Sequence, residues 1–122
     1  MNTDITIMVA DDSAFMRQIL CEILRGMGFS HIVECSDGKE CLERFPVDKP
    51  DLILLDMIMP ELDGMEVLKK IGHMTNVLVI SAVGQDKMME EARALGARGY
   101  IVKPFDNNQV VQEVARVLEE SR

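Results

Sequence analysis

The sequence predicts an α/β fold in which a parallel sheet is covered by helices on both faces. Short apolar runs of strand length alternate five times with segments of helical periodicity along the 122 residues. Residues 52–55 are apolar at every position, as expected for a central parallel strand that is buried on both faces. Because crossovers between parallel strands are right-handed, the helices lie on both sides of the sheet and the fold has three layers.

The first strand and helix are predicted at the N-terminus. Residues 5–10 are mainly apolar and are followed by two acidic residues, Asp11 and Asp12. Ser13 can cap a helix in which apolar residues recur every three or four positions as far as residue 27. The glycine-rich phosphate-binding motifs of dinucleotide-binding and P-loop proteins are absent from this turn, which would therefore attract a cation instead.

The second and third strands follow the same pattern. His31–Cys35 reads as a short strand, and residues 39–45 as a helix that ends before Pro46. The strand at residues 52–55 ends in Asp56, and turn-forming residues follow within eight positions. Asp56 is thus predicted to lie where a buried strand reaches the surface.

The last helices and strands complete the alternation. A brief helix at residues 65–71 precedes a strand at residues 77–80, which ends at Ser81 and Ala82. A helix at residues 86–95 precedes a strand at residues 100–102, which ends at Lys103 and Pro104. Asn107 can cap the final helix, whose core face is rich in valine.

Length and composition fit one domain with no room for a separate output domain. The chain is 48% hydrophobic, which supplies an ordinary core. No apolar run approaches membrane-spanning length and the N-terminus has no basic or hydrophobic leader, so we expect a soluble cytoplasmic protein. Cys21, Cys35 and Cys41 lack the close pairing of a zinc or redox site, and we expect reduced, half-buried thiols.

Net charge argues against nucleic acid as a partner. Acidic residues outnumber basic ones by 21 to 13, and the basic residues are scattered along the chain. Binding to nucleic acid depends largely on clustered basic side chains that neutralise phosphates. We therefore expect neither a nucleic acid nor a membrane partner.

Polar side chains mark the carboxyl ends of four of the five predicted strands. These are Asp11 and Asp12, Asp56, Ser81 and Lys103, and in a parallel sheet they share one edge. Adjacent carboxylates repel each other, and a hard divalent cation with oxygen ligands relieves that repulsion. Mg²⁺ fits better than Zn²⁺, because no histidine or cysteine is near these residues in sequence.

The same residues suit phosphoryl transfer to a carboxylate. Asp56 would be the nucleophile, Lys103 and the metal would neutralise the phosphoryl oxygens, and Ser81 would donate a hydrogen bond. Each residue also has an ordinary explanation: an aspartate in a turn, a serine at a strand end, a solvated lysine. The occurrence of such polar residues at four strand ends together favours a phosphoryl-transfer site.

These motifs resemble the receiver domains of two-component response regulators along the whole chain. The segments that carry the resemblance are Asp11-Asp12-Ser13, Asp56-Met-Ile-Met-Pro60, Asp63-Gly64, Ser81-Ala82 and Lys103-Pro104-Phe105. Residues 11–17 are most similar to the single-domain regulators of chemotaxis. The resemblance implies a flavodoxin-like (βα)5 sandwich with parallel strand order 2-1-3-4-5 and phosphorylation of Asp56 by a histidine kinase.

The resemblance also assigns roles at the metal and phosphoryl sites. It implies that Asp12 and Asp56 bind Mg²⁺ directly, Asp11 through water, and Ile58 through its backbone carbonyl. Ser81, Lys103 and the backbone amide of Ala82 would bind the phosphoryl group. Tyr100 matches an aromatic switch residue that moves inward when the Ser81 hydroxyl turns toward the phosphate, and the Lys103-Pro104 bond is expected to be cis.

Two departures from the family are visible. The segment from residue 64 to residue 77 is several residues shorter than is usual, which we expect to change the outline and not the chemistry. The positions two residues after Asp56 and two after Ser81 are Ile58 and Val83, neither of which can orient a water molecule. We therefore hypothesise that self-dephosphorylation is slow relative to that of family members with a polar residue at these positions.

Three functions remain open. In the first, the chain is a monomer whose phospho form, of undetermined oligomeric state, binds a motor switch component or adaptor through the fourth helix, fifth strand and fifth helix to control chemotaxis. In the second, the chain is a phosphorelay intermediate that passes the phosphoryl group from Asp56 to a histidine phosphotransfer protein. In the third it is a Mg²⁺-dependent phosphatase of the haloacid dehalogenase type, which Ile58 disfavours because that position needs an acid-base aspartate.

Overall fold

The computed structural model describes residues 2–82 and 84–120, so Val83 lies outside the described residues. Strands and helices alternate along the chain as predicted. The strands are β1 (Thr6–Ala10), β2 (His31–Cys35), β3 (Leu52–Asp56), β4 (Asn76–Ala82) and β5 (Gly99–Lys103). The helices are α1 (Ala14–Gly26), α2 (Gly38–Asp48), α3 (Gly64–Ile71), α4 (Asp86–Ala94) and α5 (Asn107–Glu120).

The strands form one parallel sheet in the order β2-β1-β3-β4-β5, which confirms the flavodoxin-like topology expected from the resemblance. β3 is central and is buried at every position. The register pairs Ala10 with Leu55, Asp56 with Ile80, and Ala82 with Lys103. The carboxyl ends of β1, β3, β4 and β5 are therefore level with one another.

Alternation along the central strands builds one apolar core on each side of the sheet. Ile7 and Val9 of β1 face a core closed by α1 and α5, whereas Met8 and Ala10 face a core closed by α2, α3 and α4. Because successive side chains of a strand point to opposite faces, an apolar residue is required at every position. Both layers together hold the strand ends in fixed positions.

Side-chain caps begin α1, α2 and α3. The Oγ of Ser13 accepts a hydrogen bond from the amide of Met16, as predicted. Asp37 caps α2 and Asp63 caps α3 in the same way. Each cap satisfies a helix amide that has no carbonyl partner within the helix.

Two helix ends differ from prediction. α2 does not end before Pro46; it continues to Asp48, and the Lys49 amide donates to the Phe45 carbonyl at 3.0 Å, which closes the turn beyond the proline. Asn107 does not cap α5 but is its first residue. The capping role falls on Asp106, whose Oδ1 accepts from the amide of Gln109 while the Gln109 carboxamide accepts from the Asp106 amide.

The segment between α3 and β4 is compact. Four residues separate Ile71 from Asn76, and Thr75 anchors them by donating its hydroxyl hydrogen to the Pro50 carbonyl at 2.8 Å. This turn lies at the end of the sheet opposite to the aspartates. Among residues 2–82 and 84–120, no helix has the length and apolar character needed to cross a bilayer.

Candidate functional site

The polar residues predicted at the strand ends meet at one edge of the sheet. Asp11 directly follows β1, Asp56 is the last residue of β3, Ser81 lies near the end of β4, and Lys103 is the last residue of β5. Asp11 continues the pairing beyond β1, since its amide donates to the Cys35 carbonyl at 3.1 Å. The level strand ends thus bring together residues from four separate parts of the chain.

Three aspartates form an acidic cluster at this edge. One carboxylate oxygen from each of Asp11, Asp12 and Asp56 lies within 4.8 Å of the others. Asp11 is fully buried, Asp56 is 6% exposed, and Asp12 is open to solvent. The cluster therefore has two carboxylates inside the protein and one at its mouth, so that an ion can reach it from solvent.

The environment of Asp11 opposes its negative charge. Burial is the main cause that raises the pKa of this carboxyl above its usual 3.8, and the charges of Asp56 and Asp12 raise it further. A hydrogen bond from the Ser13 amide to Oδ1, at 2.9 Å, and the ammonium of Lys103 act in the opposite direction. Within the described residues, Oδ2 of Asp11 is buried and has no hydrogen-bond partner.

The Asp11 oxygen that has no hydrogen-bond partner and the carboxylate cluster together fit a hard divalent cation. Buried carboxylate oxygens are rarely left without partners, and oxygen ligands are those that Mg²⁺ prefers. A cation would neutralise the repulsion that raises the Asp11 pKa. The residues present are therefore compatible with the magnesium ion expected from the sequence.

Lys103 supplies the positive charge at this edge. Its Nζ lies 3.4 Å from Oδ2 of Asp56 and 3.7 Å from Oδ2 of Asp11. The bond from Lys103 to Pro104 is cis, as expected. The Oγ of Ser81 is buried and, in the part of the chain that the structure describes, has no hydrogen-bond partner. A hydroxyl without a hydrogen-bond partner and an ammonium group thus lie at the same sheet edge as Asp56.

The loop after β3 fixes the Asp56 carboxylate from the other side. Oδ1 of Asp56 accepts a hydrogen bond from the Ile58 amide at 3.2 Å. The Ile58 side chain is 59% exposed, whereas its neighbours Met57 and Met59 are buried and anchor the loop. Gly64 packs so closely against this loop that an added Cβ would lie 2.7 Å from the Asp56 carbonyl oxygen.

Two further residues touch the site and were not predicted. Arg17, one turn into α1, donates from Nη1 to the Asp11 carbonyl at 2.6 Å and from Nε to Glu34 at 3.1 Å. Its position four residues after the cap Ser13, on the side facing β1, is the only sequence signal that could have identified it. Gln85 accepts a hydrogen bond at its carboxamide oxygen from the Ala82 amide, at 3.4 Å.

Tyr100, the predicted switch residue, lies in β5 and is half-buried against α4. Its hydroxyl group donates to the Met89 carbonyl at 3.2 Å and accepts from Nε of Arg93 at 2.8 Å.

The three cysteines have free thiols, as expected, but they are buried, whereas we expected them to be half-buried. Their position in the core follows from their places on β2, α1 and α2.

Comparison with known proteins connects this geometry to a family. A family model described as the response regulator receiver domain matches residues 7–115. The chain is 37% identical to Chemotaxis protein CheY of Thermotoga maritima over 114 residues, which cover 91% of this chain and 95% of that protein. It is 36% identical to Chemotaxis protein CheY of Bacillus subtilis, with 92% and 96% of the two chains covered.

Solved structures share the fold. The chemotaxis response regulator CheY4 of Vibrio cholerae superposes with a TM-score of 0.86 at 28% identity, covering 94% of this chain and 99% of that chain. NtrX of Brucella abortus gives a TM-score of 0.90 at 28% identity over 97% of this chain, which corresponds to 27% of that chain. The chain therefore belongs to the response regulator receiver domain family.

Proposed function

We propose that this receiver domain is a phosphorylation switch in which Asp56 accepts a phosphoryl group from a histidine kinase. The observation that carries the proposal is the position of Asp56: its Oδ2 lies 3.4 Å from the Lys103 ammonium, and its carboxylate shares a cluster with Asp11 and Asp12. A carboxylate held between a cation and two further acids suits metal-assisted phosphoryl transfer.

The transfer uses groups that lie beside Asp56. A carboxylate oxygen attacks the phosphorus atom, the bond between phosphorus and the donor breaks, and an acyl phosphate forms on Asp56. The Lys103 ammonium, the Ser81 hydroxyl and the Ala82 amide donate hydrogen bonds to the phosphoryl oxygens. Displacement of the Gln85 oxygen from the Ala82 amide is part of this step.

The donor set for magnesium consists of Asp11, Asp12, Asp56 and the backbone carbonyl of Ile58. When bound there, Mg²⁺ neutralises charge on the carboxylates and the incoming phosphoryl oxygens. The lack of a hydrogen-bond partner at the buried Oδ2 of Asp11 and the raised pKa of this carboxyl support the assignment. The Ile58 carbonyl is included on the resemblance to the family alone.

The output that we propose is binding of the phospho form to a motor switch component or adaptor in chemotaxis. The whole-length similarity to Chemotaxis protein CheY of two bacteria supports this output. Tyr100 would transmit the signal, because it lies on the same strand as Lys103 and its hydroxyl group contacts α4. The binding surface would be formed by α4, β5 and α5.

Intact mass measurement after incubation with Mg²⁺ and acetyl phosphate tests the central step. The wild type should gain one phosphoryl group, whereas Asp56→Asn should gain none. Asp63→Asn is the matched control, because Asp63 is an exposed aspartate near the same loop. A wild type that stays unlabelled, or a labelled Asp56→Asn variant, would refute the proposal. Transfer of label to a histidine phosphotransfer protein would favour a phosphorelay over a motor output.

A further inference from the structure

Among the helices that the structure describes, α4 contributes the fewest buried residues to the core. Ala92 is the only fully buried residue that the structure describes within Asp86–Ala94, whereas α1 and α3 each bury four residues. The residue preceding α4, Gln85, makes no side-chain cap hydrogen bond to the helix and turns to the Ala82 amide instead. Because burial contributes most of the attachment of a helix, specific contacts count for more at α4 than elsewhere.

Tyr100 provides such contacts from the neighbouring strand. Its hydroxyl group donates to the Met89 carbonyl at 3.2 Å and accepts from the Arg93 Nε at 2.8 Å. The guanidinium carbon of Arg93 also lies 5.2 Å from the centre of the tyrosine ring, which is within the range of a cation–π interaction. Met89 and Arg93 are one helical turn apart, so one side chain of β5 binds a full turn of α4.

Arg93 has no competing ionic partner in the described residues. None of the carboxylates of residues 2–82 and 84–120 lies within 4.0 Å of its guanidinium nitrogens. By contrast, Arg17, Arg44 and Arg116 each pair with an acidic side chain. Among the described residues, Tyr100 therefore supplies the side-chain hydrogen bond and the ring contact of Arg93. A hydrogen bond from a charged donor is stronger than one from a neutral donor.

We propose that Arg93 is a positioning residue that holds Tyr100 against α4 and thereby sets the cost of moving this tyrosine. The inference rests on the proposed function, in which Tyr100 transmits the signal, and on the inward movement of Tyr100 that the family resemblance implies when Asp56 is phosphorylated. A contact made only in the resting state disfavours the phosphorylated state by the same free energy with which it stabilises the resting one. Arg93 thus limits how far the switch turns on without phosphate.

Loss of the contact has two expected consequences. Tyr100 spends more time away from α4, and α4, which has little burial of its own, becomes more mobile. Because the coupling is reciprocal, phosphorylation of Asp56 becomes easier. A charge-assisted hydrogen bond together with a cation–π contact at an exposed site corresponds to a shift of about three- to tenfold in this equilibrium.

The chain offers a site-specific reporter for this test. It contains one tyrosine and no tryptophan, so tyrosine fluorescence and ring NMR signals come from Tyr100 alone. The variants are Arg93→Ala, Arg93→Lys, which retains the charge but not the Nε donor, and Arg98→Ala. Arg98 is the matched control, an exposed arginine that lines the same small cavity as Arg93 without contacting Tyr100.

Two measurements use the unphosphorylated protein without added metal: the Tyr100 signals and amide hydrogen exchange of residues 86–94. Arg93→Ala should alter the tyrosine signals and speed exchange in α4, Arg93→Lys should do so less, and Arg98→Ala should match the wild type. If Arg93→Ala is not folded, Arg93→Lys carries the comparison. Unchanged tyrosine signals and exchange in a folded Arg93 variant would overturn the inference.

A third measurement connects the contact to the switch. The concentration of acetyl phosphate that gives half-maximal labelling in Mg²⁺ should be about three- to tenfold lower for Arg93→Ala than for wild type and Arg98→Ala. Equal labelling of all three proteins would contradict the coupling. Failure of the wild type to label would refute the proposed function, while the tyrosine and exchange measurements would still decide whether Arg93 positions Tyr100.

Discussion

Nζ of Lys103 lies 3.4 Å from Oδ2 of Asp56 although the two residues are 47 positions apart in the chain. The same ammonium lies 3.7 Å from Oδ2 of Asp11. The Lys103 ammonium therefore faces two buried carboxylates, and both lose this neighbouring positive charge when Lys103 is replaced. The effect of this arrangement on the phosphorylation rate and its effect on the free energy of unfolding can be measured separately.

Replacement of Lys103 by methionine should slow phosphorylation of Asp56 without preventing folding. The ammonium is positioned to stabilise charge on the phosphoryl oxygens, and loss of such a donor costs on the order of 10²-fold in rate. The measurement is the rate of labelling by acetyl phosphate in Mg²⁺. Lys103→Arg, which keeps the charge in a different geometry, should label faster than Lys103→Met; equal rates for wild type and Lys103→Met would exclude this role.

Asp11→Asn should stabilise the folded protein at neutral pH in the absence of divalent ions. Because burial raises the folded-state pKa of Asp11 above 3.8, the folded state binds this proton more tightly than the unfolded state. The ionised carboxylate therefore costs stability above the folded pKa, and the cost disappears as the pH falls through that pKa to below 3.8.

Urea unfolding at about pH 7 and about pH 4 tests this sign. Asp11→Asn should raise the free energy of unfolding at the higher pH by on the order of 1 kcal/mol, and the gain should shrink at the lower pH. Asp12→Asn, which changes an exposed carboxylate, is the control and should have a smaller effect. A variant less stable than wild type at neutral pH would contradict the electrostatic argument.

Gly64→Ala should destabilise the protein, because an added Cβ would lie 2.6 Å from the Met57 Cα and 2.7 Å from the Asp56 carbonyl oxygen. Overpacking of this kind costs roughly 1–3 kcal/mol in the free energy of unfolding. Gly26→Ala at the end of α1 is the matched substitution, since no atom lies within 4 Å of its added Cβ. It should be neutral or stabilising by up to about 1 kcal/mol. Equal unfolding midpoints for the two variants would show that the loop after β3 adjusts freely.

Ile58→Asn should shorten the lifetime of the aspartyl phosphate. The Ile58 side chain is exposed and its amide contacts Asp56, so a carboxamide at this position can orient a water molecule toward the phosphoryl group. We expect the half-life to fall by about tenfold, a small part of what positioned acid–base groups contribute. Val47→Asn, an exposed apolar residue on α2, controls for added polarity. Identical half-lives in the three proteins would reject the hypothesis of slow self-dephosphorylation.

The cysteine thiols should not react in the native protein. Burial raises the pKa of Cys35 and of Cys41 to about 12, so the thiolate fraction at about pH 8 is on the order of 10⁻⁴. Reaction with a disulfide reagent should detect none of the three thiols promptly in buffer and all three in concentrated urea. Prompt reaction of two thiols in buffer would mean that the core between β2 and α2 opens easily.

Much of the fold could be predicted because the sequence patterns that specify its strands and helices are local. The apolar run that ends at Asp56 and the helical spacing after Ser13 each follow from a few consecutive residues. The end of α2 was not predicted, because the helix continues through Pro46 and its hydrogen bonding extends to the Lys49 amide. Asp106 and Asn107 are both good capping residues, and only the three-dimensional register decides between them.

The site was predictable in its residues but not in its contacts. Polar residues at strand ends identify the edge, because parallel strands place those ends together. The bonds from Arg17 to the Asp11 carbonyl, from the Ala82 amide to Gln85, and from Arg93 to Tyr100 depend on how side chains turn once the elements have packed. Sequence spacing alone carries little information about such rotamers.

The strand order has a consequence for biosynthesis. β1 and β3, which bring Asp11 and Asp56 together, leave the ribosome well before β5 with Lys103. A nascent chain that paired these strands early would bury two carboxylates with no ammonium to balance them, which is costly. The charge arrangement therefore favours completion of this edge late in synthesis, after residue 103 has emerged.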